Sequence, residues 1–233
     1  GNLINLRELY LNSNNLYGSI PTEIENLVNL QNLEFQENLL SGIIPSGIGN
    51  LVSLRILGLS YNSFTGNIPS EISSLNNLTN LWIGSNFFSG EILSKIVNLI
   101  YLEVISIWGN NFTGEIPIEI SNLVNLNGFW LDGNYFSGPI PESMGDLPNI
   151  NSINMSYNLF SGEIPESICN LPLPGNINNI NVTMGYNLFS HPIISMYYDI
   201  LTLYTSNIKS TSHFTQKYFS FFYHMCHSTN DHQ

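Results

Sequence analysis

Residues with the chemistry for nucleophilic or acid–base catalysis are sparse in this sequence. Histidine is absent from residues 1–190, so a serine or cysteine nucleophile there would have no imidazole base. The sequence contains no glycine-rich phosphate loop and no kinase catalytic-loop motif. Glu103 and Asp132 could form the carboxylate pair of a glycoside hydrolase, but the repeat pattern described below places them on an open surface. We therefore predict no catalytic residues and no enzymatic activity.

Metal and cofactor sites are not expected either. His224, Cys226, His227 and His232 cluster near the C-terminus, but a zinc site needs four ligands at recognised spacings, which this cluster lacks. The second cysteine is Cys169, and a pair between the two cysteines is neither excluded nor favoured. We predict no metal and no cofactor.

Tryptophan offers a different chemistry, which is molecular recognition. The chain has three of these residues, Trp82, Trp108 and Trp130, and tryptophan is enriched at the hot spots of binding surfaces. Whether the three rings act together depends on the elements that position them.

A 24-residue period positions these side chains. The repeating unit reads L-x-x-L-x-L-x-x-N-x-L/F-x-G-x-I-P-x-x-I-x-x-L-x-x. A fixed period of this length is typical of a solenoid, in which each repeat stacks on its neighbours. The asparagine of the unit recurs at Asn14, Asn38, Asn62, Asn86, Asn110, Asn134 and Asn158.

Each repeat is expected to form one rung of the solenoid. In the first repeat the L-x-L segment alternates with period two, so Leu9 and Leu11 point inward from a short strand and Tyr10 points outward. Strands of successive rungs would stack in parallel about 4.8 Å apart. The asparagine side chain would bond the backbone of its turn and of the next rung, forming a ladder. A packed aromatic spine is predicted from Phe64, Phe88, Phe112, Phe136, Phe160 and Phe189.

The L-x-G-x-I-P segment after the asparagine resembles the plant-type leucine-rich repeat. The resemblance covers residues 1–190, as seven 24-residue repeats from Leu6 and a degenerate eighth, and Leu93 replaces the proline of the fourth. It implies an α/β-type repeat solenoid, a right-handed superhelix with a parallel β-sheet on its concave face and short 3-10 or helical turns on its convex side. Such repeats occur in receptor-like kinase ectodomains and in secreted inhibitors similar to polygalacturonase-inhibiting proteins.

All three tryptophans fall on the concave face of such a solenoid. Trp82 and Trp130 share one outward column, and Trp108 lies on the rung between them, so we predict an exposed aromatic patch that binds a ligand. Its flanking groups suit a protein or peptide ligand, or a glycan. The alternative is that the rings only pack on one another along the sheet. The flanking residues are Glu103, Asp132, Asn80 and Ser106.

Four asparagines begin N-x-S/T sequons, the acceptor motif for N-glycosylation in secreted proteins. We predict occupancy at Asn77 and Asn111, which fall at exposed turns of the repeat. Asn154 points into the concave face, so little occupancy is expected there. The fourth sequon begins at Asn181.

Net charge and hydropathy restrict the class of partner. The formal net charge is −12, and residues 1–190 hold three basic residues against fifteen acidic ones. Nucleic-acid binding needs a basic patch, so we exclude it. No run of 18 apolar residues is present, and no transmembrane segment or signal peptide is predicted within this chain.

The two ends of the chain depart from the repeat pattern. The sequence begins inside a repeat without the polar cap that a solenoid needs, so we expect a fragment of a longer protein. Residues 191–233 hold all five histidines and no glycine. They are interpreted either as a C-terminal cap or, as we favour, an artefact of the gene model.

The favoured function is a non-catalytic binding module in a receptor-like ectodomain, located outside the cell or at its surface. The alternatives are a free secreted binding or inhibitor protein, an intracellular scaffold in the cytoplasm, and a truncated gene fragment.

Overall fold

The computed structural model describes residues 3–172 and 181–190. Residues 191–233, with Cys226 and the histidine cluster considered above, lie outside the described residues, and so does the side chain of Asn181. The division of the chain at residue 190 therefore remains a prediction.

Each rung of the described part of the chain contains two short strands. The odd-numbered strands form one eight-stranded sheet and the even-numbered strands a second one. Neighbouring strands within each sheet are parallel, and Leu9, Leu33 and Leu57 lie opposite one another at successive rungs. The predicted parallel solenoid sheet is thereby confirmed. In chain order the strands are β1 (Glu8–Tyr10), β2 (Tyr17–Gly18), β3 (Asn32–Glu34), β4 (Leu39–Gly42), β5 (Ile56–Gly58), β6 (Ser63–Asn67), β7 (Asn80–Trp82), β8 (Phe87–Gly90), β9 (Val104–Ser106), β10 (Asn111–Gly114), β11 (Gly128–Trp130), β12 (Tyr135–Gly138), β13 (Ser152–Asn154), β14 (Leu159–Gly162), β15 (Asn181–Thr183) and β16 (Leu188–Phe189).

Short helical turns return the chain from each even-numbered strand to the next odd-numbered one. Each 3-10 turn follows a proline whose φ lies between −62° and −72°, as the pyrrolidine ring requires. The 3-10 turns of the described residues are Thr22–Asn26, Ser46–Asn50, Ser70–Ser74, Ile118–Asn122, Glu142–Asp146 and Glu166–Asn170.

The fourth repeat forms a different turn, α1 (Leu93–Ile96). Leu93 stands where the other repeats have proline, so the residue before it is not excluded from the helical region. Ile92 accordingly has φ −91° and ψ −39°. The turn starts earlier than in the other rungs and closes an α-helical hydrogen bond from Val97 N–H to the Leu93 carbonyl at 3.2 Å. Lys95 Nζ donates to the Ile68 carbonyl of the previous rung at 2.6 Å.

The hydrophobic core runs the length of the solenoid between the two sheets and the helical turns. Leucine and isoleucine of the repeat unit line it, and five phenylalanines stack along its axis. Ring centroids of successive rungs are 5.8–6.4 Å apart and the ring planes differ by 5–23°. This is the offset stacking that aromatic quadrupoles favour. The stacked residues are Phe64, Phe88, Phe112, Phe136 and Phe160.

Buried asparagine side chains join each rung to the one before it. The Asn110 Nδ2 donates to the carbonyls of Ile83, Ile107 and Trp108 at 3.0–3.2 Å. Its Oδ1 accepts the Phe88 N–H of the preceding rung at 3.0 Å. The same pattern recurs at Asn38, Asn62, Asn86, Asn134 and Asn158, and Asn187 continues it in the eighth repeat.

A second column of asparagines lies at the turns that lead into the concave strands. Asn77 Nδ2 donates to the Val52 carbonyl at 2.8 Å, across one rung. Equivalent bonds at 2.8–2.9 Å are made by Asn29, Asn125 and Asn149. The repeat unit did not indicate this column, because serine and tyrosine replace asparagine at Ser53 and Tyr101.

Candidate binding surface

Outward side chains of the odd-numbered strands cover the concave face. The third residue of each odd-numbered strand lies directly opposite the third residue of the neighbouring strands, Cα to Cα. Around the tryptophans, large and small side chains alternate across neighbouring strands, from Gly58 to Trp130. In order, this column is Tyr10, Glu34, Gly58, Trp82, Ser106, Trp130, Asn154 and Thr183.

A second set of residues follows each concave strand, just before the ladder asparagine. The position just before the ladder asparagine has positive φ at every described rung, and at six of them it is not glycine. Glu37 has φ +56° and Tyr61 φ +57°. This left-handed conformation is costly for non-glycine residues, and the rung-to-rung hydrogen bonds on both sides hold it. It places Glu37 and Tyr61 at the rim of the concave face.

A depression of about 340 Å³ lies on the concave face over the first five rungs. Its C-terminal wall is aromatic and its N-terminal wall is polar. The lining residues are Asn12, Ser13, Gln36, Glu37, Ser60, Tyr61, Trp82, Ser106 and Trp108. We call this feature the aromatic depression.

The position of the Trp108 ring depends on the absence of a side chain at Gly84. A Cβ placed on Gly84, one rung earlier, would lie 2.5 Å from Trp108 Nε1, so only glycine permits the ring to rest there. The ring then reaches across two rungs to Tyr61, with centroids 5.3 Å apart and an interplanar angle of 71°. This edge-to-face contact makes one aromatic wall from distant repeats.

The polar wall contains the Glu37 carboxylate and the Gln36 amide, and the Glu34 carboxylate lies beside it. Gln36 packs over Gly58, and its Nε2 donates to the Glu34 carboxylate at 3.3 Å. Its Oε1 is buried and has no hydrogen-bond partner among the described residues. The Glu37 carboxylate accepts a hydrogen bond from Ser13 Oγ at 2.9 Å.

Trp130 lies apart from the aromatic depression. Its ring rests over Gly128 of its own strand, where an added Cβ would approach the ring to 2.6 Å. Its indole N–H donates to Ser152 Oγ at 3.1 Å. The structure thus brings Trp82 and Trp108 into one depression and anchors Trp130 beside it on the C-terminal side. All three side chains are half-buried.

The polar residues predicted around the tryptophans separate into two groups. Ser106 lines the aromatic depression, and Asn80 accepts a hydrogen bond from Thr79 Oγ1 at 2.8 Å on the same face. Glu103 instead lines a second depression of about 520 Å³ at the edge where the concave strands begin. That depression is lined by asparagines and prolines and has no aromatic wall.

Asp132 is half-buried in the outward column that also holds Trp108, on the next rung. Burial raises the pKa of Asp132 above its ordinary value, and a hydrogen bond with its own backbone partly opposes this rise. The carboxylate is therefore protonated at a higher pH than an exposed aspartate.

The sequons occupy different surfaces. Asn111 is exposed on β10, and Asn77 is exposed but donates to Val52 as described above. Asn154 is half-buried on the concave sheet, where its Oδ1 accepts hydrogen bonds from Thr183 Oγ1 at 2.6 Å and from Ser156 N–H at 3.1 Å.

Tyrosines at the left-handed positions were missed by the sequence reasoning. Tyr61 completes the aromatic depression, and Tyr157 stacks on Tyr186 with centroids 4.2 Å apart. Burial, together with the neighbouring Tyr186, raises the pKa of the Tyr157 hydroxyl. The sequence did contain a signal for them, since tyrosine repeatedly precedes the ladder asparagine. Residues at that position of each rung lie at the rim of the concave face.

Within residues 3–172 and 181–190, no helix is long and apolar enough to cross a membrane. That part of the chain also brings together no group of three or more histidine, cysteine, aspartate or glutamate side chains able to hold a metal ion.

Two family models match the chain. One, described as leucine rich repeat, matches residues 4–64, and another leucine rich repeat model matches residues 101–123 and 149–171. No curated protein matches.

Solved structures of plant receptors share the fold. The plant peptide hormone receptor RGFR1, in complex with RGF2, is 35% identical over 80% of this chain and 29% of that chain, with a TM-score of 0.75. The ectodomain of the Arabidopsis receptor kinase HAESA, in complex with an IDA peptide hormone, is 36% identical over 84% of this chain and 33% of that chain, with a TM-score of 0.76. This chain thus spans a third or less of either hormone receptor.

The ectodomain of the receptor kinase SOBIR1 from Arabidopsis thaliana is similar to this chain over a larger share of its own length. It is 37% identical over 57% of this chain and 73% of that chain, with a TM-score of 0.54. Given this match, the two family models and the parallel rungs described above, the chain belongs to the leucine-rich repeat family.

Proposed function

We propose that this chain is part of an extracellular, receptor-like ectodomain, and that its concave sheet binds a peptide ligand without catalysing a reaction. The observation that carries the proposal is the aromatic depression, in which Tyr61, Trp82 and Trp108 converge from three rungs beside polar side chains. Aromatic anchors surrounded by hydrogen-bonding groups are typical of binding hot spots.

The dimensions of the sheet support a peptide as the ligand class. Eight parallel strands spaced about 4.8 Å apart give a concave face about 34 Å long. An extended peptide of about ten residues, at about 3.3 Å per residue, matches this length. RGFR1 and HAESA, which share the fold, were solved with a peptide hormone bound.

The open geometry supports recognition over catalysis. Glu103 faces the second depression, whereas Asp132 lies among the outward residues beside Trp108. The two carboxylates that could have formed a glycosidase pair therefore lie toward opposite ends of the concave strands, which disfavours that reaction.

The test uses peptides selected from a display library against the secreted full chain. Trp82→Ala combined with Trp130→Ala removes two concave rings and should abolish binding, while far-UV circular dichroism stays nearly unchanged. Tyr17→Ala combined with Phe87→Ala is the matched control, because both rings are exposed on the second sheet. Selected peptides that bind the concave variant as well as the wild type would contradict the proposal, and loss of the fold would assign the tryptophans to stacking.

A further inference from the structure

We propose that the aromatic depression is a subsite for a cationic side chain, arginine or lysine, of the bound peptide. The inference rests on the proposed function and assigns the chemistry of one position within the ligand.

The first argument is the arrangement of charge. Glu37 lines the depression, and Glu34 lies beside it through the Gln36 amide. No lysine or arginine is among the described residues that line it. The nearest cation along the third rung, Arg55, precedes Ser60 by five residues, which is about 16 Å along an extended strand. The local field therefore favours a positive group.

The second argument is the shape of the walls. A lysine or arginine side chain has an apolar stem and a charged head. The rings of Trp82, Trp108 and Tyr61 offer the stem an apolar surface and the head a quadrupole that attracts cations. On the opposite wall, the Glu37 carboxylate is held by a single side-chain hydrogen bond from Ser13 and keeps acceptor capacity for the head group.

The third argument is the buried Gln36 oxygen. Its Oε1 lacks a donor among the described residues, whereas its Nε2 is already bound to Glu34. An unpaired buried acceptor is costly, and a hydrogen-bond donor beside this wall would reduce that cost. Ammonium and guanidinium groups carry only donors and can serve this role, whereas an ionised carboxylate, which only accepts, cannot.

Indole signals provide the test. The full chain is labelled with ¹⁵N, and its three indole N–H signals are assigned with single Trp→Phe variants. The probe is the pentapeptide acetyl-Gly-Gly-Arg-Gly-Gly-amide. The matched probe carries citrulline, which keeps the length and planar shape of the arginine side chain but has no charge and carries a carbonyl oxygen in place of one nitrogen donor.

The arginine probe is expected to shift the Trp82 and Trp108 signals with a Kd of about 1 mM, leaving Trp130 unmoved. The citrulline probe should bind at least about threefold more weakly. Glu37→Gln should weaken binding of the arginine probe about threefold to fivefold and leave citrulline binding unchanged. Glu23→Gln, which removes an exposed charge from a convex turn, is the control and should change neither affinity.

Equal affinity for the two probes, an unchanged affinity in Glu37→Gln, shifts confined to Trp130, or no shift at millimolar probe would each overturn the cation subsite. If library-selected peptides still require the concave tryptophans in that case, the proposed function stands and only the subsite is wrong.

Discussion

At the residue scale, the side-chain amide of one asparagine per rung connects that rung to the one before it. Each buried ladder asparagine satisfies carbonyls of its own turn and of the previous rung, and it caps an N–H group that would otherwise be buried and unpaired. Asn14 differs, because it is exposed and donates only to Leu11 and Asn12 of its own rung. The same residue type therefore has two different energetic roles.

Asn110→Ala should lower the free energy of unfolding by about 2–3 kcal/mol, since it leaves the Phe88 N–H buried without a partner and removes one of the two amide donors of the Ile83 carbonyl. Asn14→Ala is the matched control and should cost less than about 1 kcal/mol, because water can replace its bonds. Urea titration followed by circular dichroism measures both. Equal losses would show that the ladder contributes nothing beyond the local turn.

At the element scale, the two strands of each rung differ in the side chains that they expose and bury. The concave strand presents variable side chains, whereas the even-numbered strand carries one core residue beside an exposed one. Phe87 and Phe88 show this contrast within β8, since Phe87 is 57% exposed and Phe88 is completely buried.

Phe88→Ala should destabilise the protein by about 3–5 kcal/mol, because it opens a cavity between the rings of Phe64 and Phe112. Phe87→Ala should change the free energy of unfolding by less than about 0.5 kcal/mol. Thermal or urea unfolding of the two adjacent variants measures the difference. A loss in Phe88→Ala no larger than in Phe87→Ala would exclude the stacked spine as a source of stability.

Sequence periodicity predicted the elements better than the contacts between them. Strand alternation and the phenylalanine column follow from spacing alone, so the parallel sheet and the core spine were predictable. The turn at Leu93 required knowing that Ile92 would enter the helical region, which depends on the backbone. To predict the contact of Trp108 with Tyr61, one would need to know the direction of the Trp108 ring. That direction depends on the space left by the missing side chain of Gly84.

At the scale of the whole molecule, the concave sheet, the second sheet and the convex turns are available to different partners. The concave sheet holds the half-buried tryptophans and the asparagine of one sequon, Asn154. The second sheet exposes Asn111. A protein that passes through the secretory pathway should keep bulky glycans away from the surface that binds its ligand.

Glycan occupancy follows from this arrangement. When the chain is secreted from plant cells, Asn111 and Asn77 should be occupied, because both are exposed. Asn154 should remain largely unmodified, since its side chain is half-buried on the concave sheet, where hydrogen bonds from Thr183 and Ser156 hold its amide in place. Glycopeptide mass spectrometry reports each site separately. Full occupancy of Asn154 would rule out a binding surface that extends into the seventh repeat.

The central claim is that the concave sheet is the ligand-binding surface, and photo-crosslinking tests it most directly. Library-selected peptides carrying a photoreactive residue are irradiated with the full chain, and the attachment sites are identified by mass spectrometry. We predict attachment to outward residues of the odd-numbered strands and to the rim residues beside them, concentrated around Tyr61, Trp82 and Trp108. Attachment mainly to the convex 3-10 turns or to the second sheet would contradict the claim.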